Sequence, residues 1–448
     1  LAVSLLAALP PAIAQVSERV LDNGLKVIVK EDHRAPTAVQ MIWYRAGSID
    51  EVNGRTGIAH VLEHMMFKGT DRFGDGEFSR RVAQRGGREN AFTNRDYTAY
   101  FQQIPPERLD EMMMLEADRM TGLNLELEPF NKEVAVVMEE RRSRVEDNPF
   151  GQVGEQMMAL AFTATPYRSP VIGWMNDIEN LTPADAQNWY SEWYAPNNAV
   201  LIIAGDVEPD AAFAMAEKHY GSIPMRALPE RRPQAEPEQK GIRRAVVKAP
   251  ARSPYVVMAF KVPRIKNLDH PSDAYALEML AAVLGSGDTG RYTREIVRGK
   301  RLANDADAGY GLLGRGPALF TLSGTPIEGG SVTELEAVLR GEVRRIAEDG
   351  VQEEELQRIK AQYVASRVFG RDSLFGQVME TGLLEMVGLP HQDADRLLER
   401  VREVNAEQVK AVAARYFGDD QLTIVTLDPQ SLDQKPKRKV DPSIKVKH

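Results

Sequence analysis

The chain has 448 residues, 43% hydrophobic and 27% charged. At roughly 150 residues per domain that length makes two or three folded units, and the composition excludes a disordered chain and a multi-span membrane protein. Lys and Arg number 56 against 65 Asp and Glu, a net charge of −9, and an acidic chain without a basic stripe is a poor holder of phosphate backbones, so no nucleic-acid partner is expected. There is no cysteine, which removes disulfides and thiol chemistry and leaves His, Asp and Glu as the only strong metal ligands.

In chain order, residues 1–15 (LAVSLLAALPPAIAQ) form an apolar run closing on Ala12-Ile13-Ala14, the small-x-small pattern that precedes a signal-peptide cut. Pro10-Pro11 argues against a buried helix there. The expectation is a signal-peptide remnant and a periplasmic or secreted protein. No later segment approaches the roughly 18 consecutive apolar residues of a membrane span. Gly24–Val29 and Ala38–Tyr44 run apolar or alternate as strands, Ile58–Phe67 has helical spacing, Phe92–Gln103 reads as a strand, and Pro129–Val145 is helical again.

Pro and charge density rise between Ile223 and Lys248, near the midpoint, as in an extended linker. Two repeats straddle it. Phe150-Gly151-Gln152-Val153 returns as Phe375-Gly376-Gln377-Val378, at an offset of 225, and the segment Thr182–Asp206 returns as Val404–Asp428, at an offset of 222. The second pair is an amphipathic helix, an aromatic end, a polar turn and a β-branched strand closing on Asp. The expected architecture is α+β: two homologous α+β sandwich domains, helices packed on a mainly antiparallel sheet, related by internal duplication. Their expected bounds are 16–225 and 248–432, with a linker at 226–247 and a basic tail at 433–448.

The chemistry concentrates in Gly57-Ile58-Ala59-His60-Val61-Leu62-Glu63-His64-Met65-Met66-Phe67. On a helix His60 and His64 stand about 6 Å apart on one face, so both imidazoles reach one ion. Glu63 lies beside that face, placed to take a proton from a metal-bound water. The pattern H-x-x-E-H is the inverse of H-E-x-x-H and belongs to zinc peptidases. A catalytic zinc commonly takes a third protein ligand. In the run NKEVAVVMEERR, Glu133 and Glu140 are seven apart and share a face with Val136 and Val137, whereas Glu139 points away. A carboxylate on an apolar stripe is costly unless paired or metal-bound, which selects Glu140 as ligand and Glu133 as its support. A His2Glu donor set suits zinc, cobalt and manganese alike.

The segment HVLEHMMFKGT, with a Glu 76 residues after His64, resembles the pitrilysin or insulinase family of inverzincin metallopeptidases, and in particular its short two-domain members such as the mitochondrial processing peptidase β subunit. Gly86–Thr93, Pro166–Gly173 and Trp193–Asn198 carry the same resemblance, which runs from about Val16 to Pro429. It implies one zinc per chain, held by His60, His64 and Glu140, with Glu63 as general base and Glu133 orienting the ligands. It implies a peptide or unfolded polypeptide substrate lying as an extended strand against Asn90 and Ala91, with Phe92 and Tyr100 lining the same groove. The family's second half supplies an Arg and a Tyr seven residues apart that grip the substrate carbonyl. Here Ile296–Asn304 matches that region one residue short: Arg298 is present, Asn304 stands near the Tyr position, and Tyr310 is a further candidate. At the repeat offset Glu140 falls on Ala365 and Glu133 on Arg358, so the second half lacks the metal site. The resemblance further implies a pair of chains enclosing a chamber, either a homodimer or a heterodimer with an Arg/Tyr-bearing homologue. Two functions follow from it, a zinc endopeptidase or a non-catalytic assembly or peptide-binding subunit.

Overall fold

In the computed structural model, residues 16–232 and 234–434 are described; the signal-peptide reading of residues 1–15 and nearly all of the basic tail lie outside them. The first half holds β1 (Val16–Val20), β2 (Lys26–Glu31), β3 (Ala38–Tyr44), β4 (Arg88–Thr93), β5 (Thr98–Ile104) and β6 (Ala199–Gly205). Its helices are α1 (Ile58–Met65), α2 (Glu77–Gln84), α3 (Leu109–Thr121), α4 (Leu127–Arg141), α5 (Pro149–Ala161), α6 (Met175–Asn180), α7 (Pro183–Trp193) and α8 (Pro209–Tyr220). The second half holds β7 (Arg243–Pro250), β8 (Tyr255–Val262), β9 (Ala303–Tyr310), β10 (Ala318–Pro326) and β11 (Leu422–Gln430). Its helices are α9 (Asp273–Gly285), α10 (Val332–Asp349), α11 (Glu353–Gly370), α12 (Leu374–Met386), α13 (Ala394–Glu403) and α14 (Ala406–Tyr416).

The sheet orders are β1-β2-β6-β3-β5-β4 and β7-β11-β8-β10-β9. Apart from β1 they are one topology drawn twice, each with a single parallel pair, β2 with β6 and β7 with β11. The α+β architecture is therefore present in both halves. The longer sequence repeat is α7 with β6 against α14 with β11, and both helices open on a capping box, Thr182 with Asp185 and Asn405 with Gln408. Phe92–Gln103, read as one strand, is instead a hairpin: the backbone turns back at Asn94, whose N–H donates to the Tyr97 carbonyl (2.8 Å). The polar run Asn94-Arg95-Asp96 is turn chemistry that outweighs the flanking β propensity.

Each sheet has one face on its own helices and the other on a helix lent by the opposite half. α5 packs on β7, β8 and β11, with Val153, Met157 and Ala161 buried among Ala249, Ala259, Val425 and Leu427. α12 packs on β3 and β6, with Val378 and Met386 buried among Val39, Met41, Trp43 and Ile202. The short sequence repeat opens these two exchanged helices. Asn148 caps α5 by accepting from the N–H of Phe150 and Gly151, and Ser373 caps α12 by accepting from Gly376 N–H. A Cβ on Gly151 would stand 2.1 Å from the Arg144 carbonyl oxygen, and one on Gly376 1.9 Å from that of Gly370, so each turn closes only around glycine. The proline-rich stretch between the halves is tied down. Glu236 accepts from the N–H groups of Thr163, Ala164 and Thr165 and pairs with Lys261, while Arg231 donates to Asp50.

Candidate metal centre

α1 starts where two glycines cross. Gly57 is left-handed (φ 88) and a Cβ there would meet the Ile172 carbonyl oxygen at 2.6 Å; Gly173, also at φ 88, faces it. The helix N-terminus has no cap from its own residue. Its free N–H groups are met from a distance by Glu51, whose two carboxylate oxygens accept from Gly57 (2.9 Å) and Ala59 (3.0 Å). Burial pushes the Glu51 carboxyl up to about 8 despite those two donors.

The helix then presents His60 and His64 to α4. His60 Nε2 lies 3.6 Å and His64 Nε2 3.5 Å from Glu140 Oε2, at or beyond the length of a hydrogen bond. One ligand atom from each of these three residues falls within 4.8 Å of the others, and no other such trio occurs among the described residues. Glu140 Oε2 is buried without a hydrogen-bond partner, a condition that is costly for a carboxylate and that a cation between the three groups would relieve. The donors therefore fit a metal. Apart from His60 Nδ1, which is buried without a partner, the remaining atoms are braced: His64 Nδ1 bonds Glu133 Oε2 (3.2 Å), Glu133 Oε1 pairs with Lys68 (2.6 Å), and Glu140 Oε1 pairs with Arg144 (2.6 Å). This carboxylate-to-histidine bracing orients an imidazole and raises its basicity.

Burial, helped by the neighbouring His64, pushes the His60 imidazole down to about 3 and keeps it neutral. His64 moves the other way: burial opposes its charge, but the hydrogen bond to Glu133 and the nearby Glu140 carboxylate outweigh it and lift the ring to about 9. Glu133 and Glu140 are held below the usual carboxylate range, against burial, by the His64 ring and, for Glu133, by Lys68. Glu63 is buried, which raises its carboxyl against the pull of a 2.5 Å bond from Thr93 Oγ1 to its Oε2.

Thr93 belongs to β4, the edge strand of the first sheet, so the candidate base is tied directly to a strand with one open side. Of the residues expected to touch substrate, Ala91 lies on the face of β4 that packs with the α1 core. Asn90 is exposed. Phe92 turns to the opposite face, edge-on to Trp43. Tyr100 is fully enclosed, its hydroxyl 2.7 Å from that of Tyr194, and lines no groove. Phe92 and Tyr100 therefore do not share a groove, because alternate residues of paired strands face opposite sides of the sheet.

Residues 26–173 match the family described as Insulinase (Peptidase family M16), and residues 180–363 match the Peptidase M16 inactive domain. The chain belongs to peptidase family M16. Zinc protease PqqE of Helicobacter pylori is 32% identical over 418 residues, 91% of this chain and 92% of that protein. A probable mitochondrial-processing peptidase subunit beta of Arabidopsis thaliana is 30% identical over 203 residues, 45% of this chain and 38% of that one. The crystal structure of a protease from Helicobacter pylori is similar at a TM-score of 0.88 and 30% identity, over 93% of this chain and 100% of that one.

In this M16 chain the second half shows no counterpart of the metal trio among its described residues. Its shortened segment closes with Arg301 in a left-handed conformation (φ 53). Arg298 is exposed and ion-paired with Asp288. Asn304 donates to the Pro326 carbonyl (3.2 Å) and the Tyr310 hydroxyl to the Pro263 carbonyl (2.6 Å), so both side chains are engaged within their own half. Sequence reasoning missed four supports of the metal centre. Arg144 carried a usable signal, standing four residues after Glu140 on a continuing helical course. Lys68, which lies past the end of α1 and pairs with Glu133 of α4, carried none, nor did Thr93 and Glu51, since each acts between separate elements. As for a membrane, no helix among the described residues is long and apolar enough to cross one.

Proposed function

We propose that this M16 chain is a zinc-dependent endopeptidase that hydrolyses peptides or unfolded protein segments laid as an added strand along β4. The observation that carries the reading is the join between chemistry and substrate edge: Glu63, beside the His60, His64 and Glu140 trio, is bonded to Thr93 of the open edge strand. His60, His64 and Glu140 would hold the zinc, which when bound supplies a Lewis acid for the scissile carbonyl and a water of lowered pKa. Glu63 Oε2 is occupied by Thr93, so Oε1 takes the proton of the attacking water and delivers it to the leaving amine. Burial raises the affinity of that carboxylate for a proton, which suits a base that must hold it in transit. Glu133 and Lys68 keep the His64 ring in place. β4 fixes the peptide by backbone pairing, which reads extended shape more than sequence.

A second reading has one observation in its favour. Tyr310 and Asn304 are engaged with carbonyls of their own half, so a Tyr that grips the substrate carbonyl would come from another chain. The protein would then be the zinc-bearing subunit of a heterodimer, inactive alone, or an assembly subunit. The apolar residues 1–15 support export to the periplasm.

The test is zinc content of the purified chain together with cleavage of a long quenched fluorescent peptide, with and without chelator, beside Glu63→Gln. One zinc per chain and chelator-sensitive cleavage lost in Glu63→Gln establish the peptidase. Zinc without cleavage favours the heterodimer or assembly reading, and absence of zinc overturns both.

A further inference from the structure

An open cavity of about 320 Å³ lies between the halves, in the size range of small-molecule sites. Its apolar wall includes Met158 and Phe162 from the α5 end and Leu383 and Val387 from the α12 end, so it sits where the two exchanged helices approach. Its polar wall includes Arg95, Arg264, Tyr167 and the acid Asp96. Both guanidiniums lie near the Tyr167 ring, 5.8 Å from its centre for Arg95 and 6.0 Å for Arg264.

Neither guanidinium has a carboxylate partner among the described residues. Arg95 Nε is wholly enclosed with no acceptor. Arg264 is held by neutral oxygens only: Nε donates to the Gly311 carbonyl (3.0 Å), and one terminal nitrogen to the Gly316 carbonyl (3.3 Å) and the Tyr167 hydroxyl (3.4 Å). The acids nearby are already engaged. Asp96 accepts from the Tyr167 hydroxyl (2.5 Å) and the Arg315 N–H (3.1 Å), and Asp50 accepts from the guanidiniums of Arg315 and Arg231. The chain is shaped closely around this arrangement. A Cβ on Gly314 would come within 1.6 Å of the Arg264 guanidinium, and one on Gly316 within 2.6 Å of the Tyr167 ring.

A guanidinium does not shed its proton in a protein, and a buried charge without a counter-ion is costly. Arg95 and Arg264 are half-buried, and the one acid of the lining, Asp96, is already taken by Tyr167 and Arg315; two guanidiniums facing one cavity with an apolar floor describe a receptor for an anion with an apolar body. We propose that this cavity binds a carboxylate bearing an apolar chain, its head between Arg95 and Arg264 and its chain against Met158, Phe162, Leu383 and Val387. The head fits the planar, two-donor face of a guanidinium. A free acid and the C-terminal carboxylate of an apolar peptide share this chemistry. The inference does not rest on the metal centre or on peptidase activity.

The experiment is calorimetric titration of the full chain with octanoate and with octanol, repeated on Arg95→Gln, Arg264→Gln and His64→Ala. Octanoate should bind at least about tenfold more tightly than octanol, and either arginine substitution should weaken it by about tenfold or more. His64→Ala should leave it unchanged, which separates this cavity from a carboxylate settling at the metal. Arg264→Gln provides the answer if Arg95→Gln does not fold. Competition by Leu-Leu-Leu with a free but not an amidated C-terminus would show that peptide ends use the cavity as well; no competition would assign it to free acids. Absence of octanoate binding at about 1 mM, equal binding of octanol, or indifference to both arginine substitutions would mean that the cavity holds water only, and would overturn the proposal.

Discussion

Where α1 meets α4 and β4 in the first half, α9 meets α11 and β9 in the second, and the two junctions are filled by opposite means. The first gathers His60, His64 and Glu140 around a gap. The second closes the space with Glu278, Tyr363 and Arg367: Arg367 donates to the Tyr363 hydroxyl (3.1 Å) and stands 3.8 Å from Glu278. What the duplication keeps is the packing: the sheet order, the capping boxes of α7 and α14, and the glycines that open α5 and α12. What it lets diverge is the polar content of one helix junction. A fold of this kind depends on both halves for its core, since each sheet is covered by a helix of the other, but needs only one for its chemistry.

The comparison can be broken most directly at the acids. Glu63→Gln should lower peptide cleavage by about 10³-fold with zinc content unchanged, whereas Glu278→Gln should leave both as they are; a loss of zinc on the second substitution would show that the junctions are not independent. Next come the exchanged helices. Gly151→Ala and Gly376→Ala should each destabilise the chain by about 1–3 kcal/mol in urea unfolding, and a silent result at either would break the symmetry of the exchange. The helix starts differ in how far away their cap lies. Glu51→Ala strips two acceptors from α1 and should cost about 1–3 kcal/mol together with weaker zinc binding. At α9, Ser272 accepts from Ala274 N–H (3.2 Å), and Ser272→Ala should cost about 1 kcal/mol with no effect on zinc.

A pH effect should read the contact between the halves. Arg34, with Gln377 of α12, outweighs burial and holds Asp32 at about 2, below its usual 3.8. A carboxyl depressed in the folded state contributes stability that is full above its unfolded value and lost as pH falls through the folded one. Asp32→Asn should therefore lower stability at pH 7 and flatten its decline between about 4 and about 2, measured by thermal unfolding against pH. The smallest effect belongs to Arg298→Ala, whose exposed pair with Asp288 should contribute under about 1 kcal/mol. A fall in kcat/KM without a change in Tm would assign Arg298 to the substrate of a second chain.

The duplication, the α+β class and the trio of candidate ligands were legible in the sequence because each rests on short-range regularity. His60 and His64 are one helical turn apart, Glu133 and Glu140 two turns, and the repeats are runs of local pattern. Arg144, four residues after Glu140, obeyed the same spacing and was within reach of the same reasoning; Lys68, past the end of α1 and paired with Glu133 of α4, was not. The break at Asn94–Tyr97, the enclosure of Tyr100 and the turning of Phe92 to the far face were not, because strand periodicity is blind to which partner covers each side. The exchange of α5 and α12 belongs with them: the sequence shows that the FGQV motif recurs, but an amphipathic helix packs equally well on either sheet until the linker and the second sheet are in place.

By itself, then, the sequence determined which residues could ligate a metal and that the chain is built twice, since spacing along a helix and repetition along a chain are properties of the one-dimensional order. Tertiary structure alone decided that Thr93 ties Glu63 to the edge strand, that Glu51 caps α1, and that Arg95 and Arg264 face one cavity without an ion pair to a carboxylate. Those three join residues between 6 and 169 positions apart, and such pairs are brought together only when burial of the two cores fixes how the elements that carry them are packed.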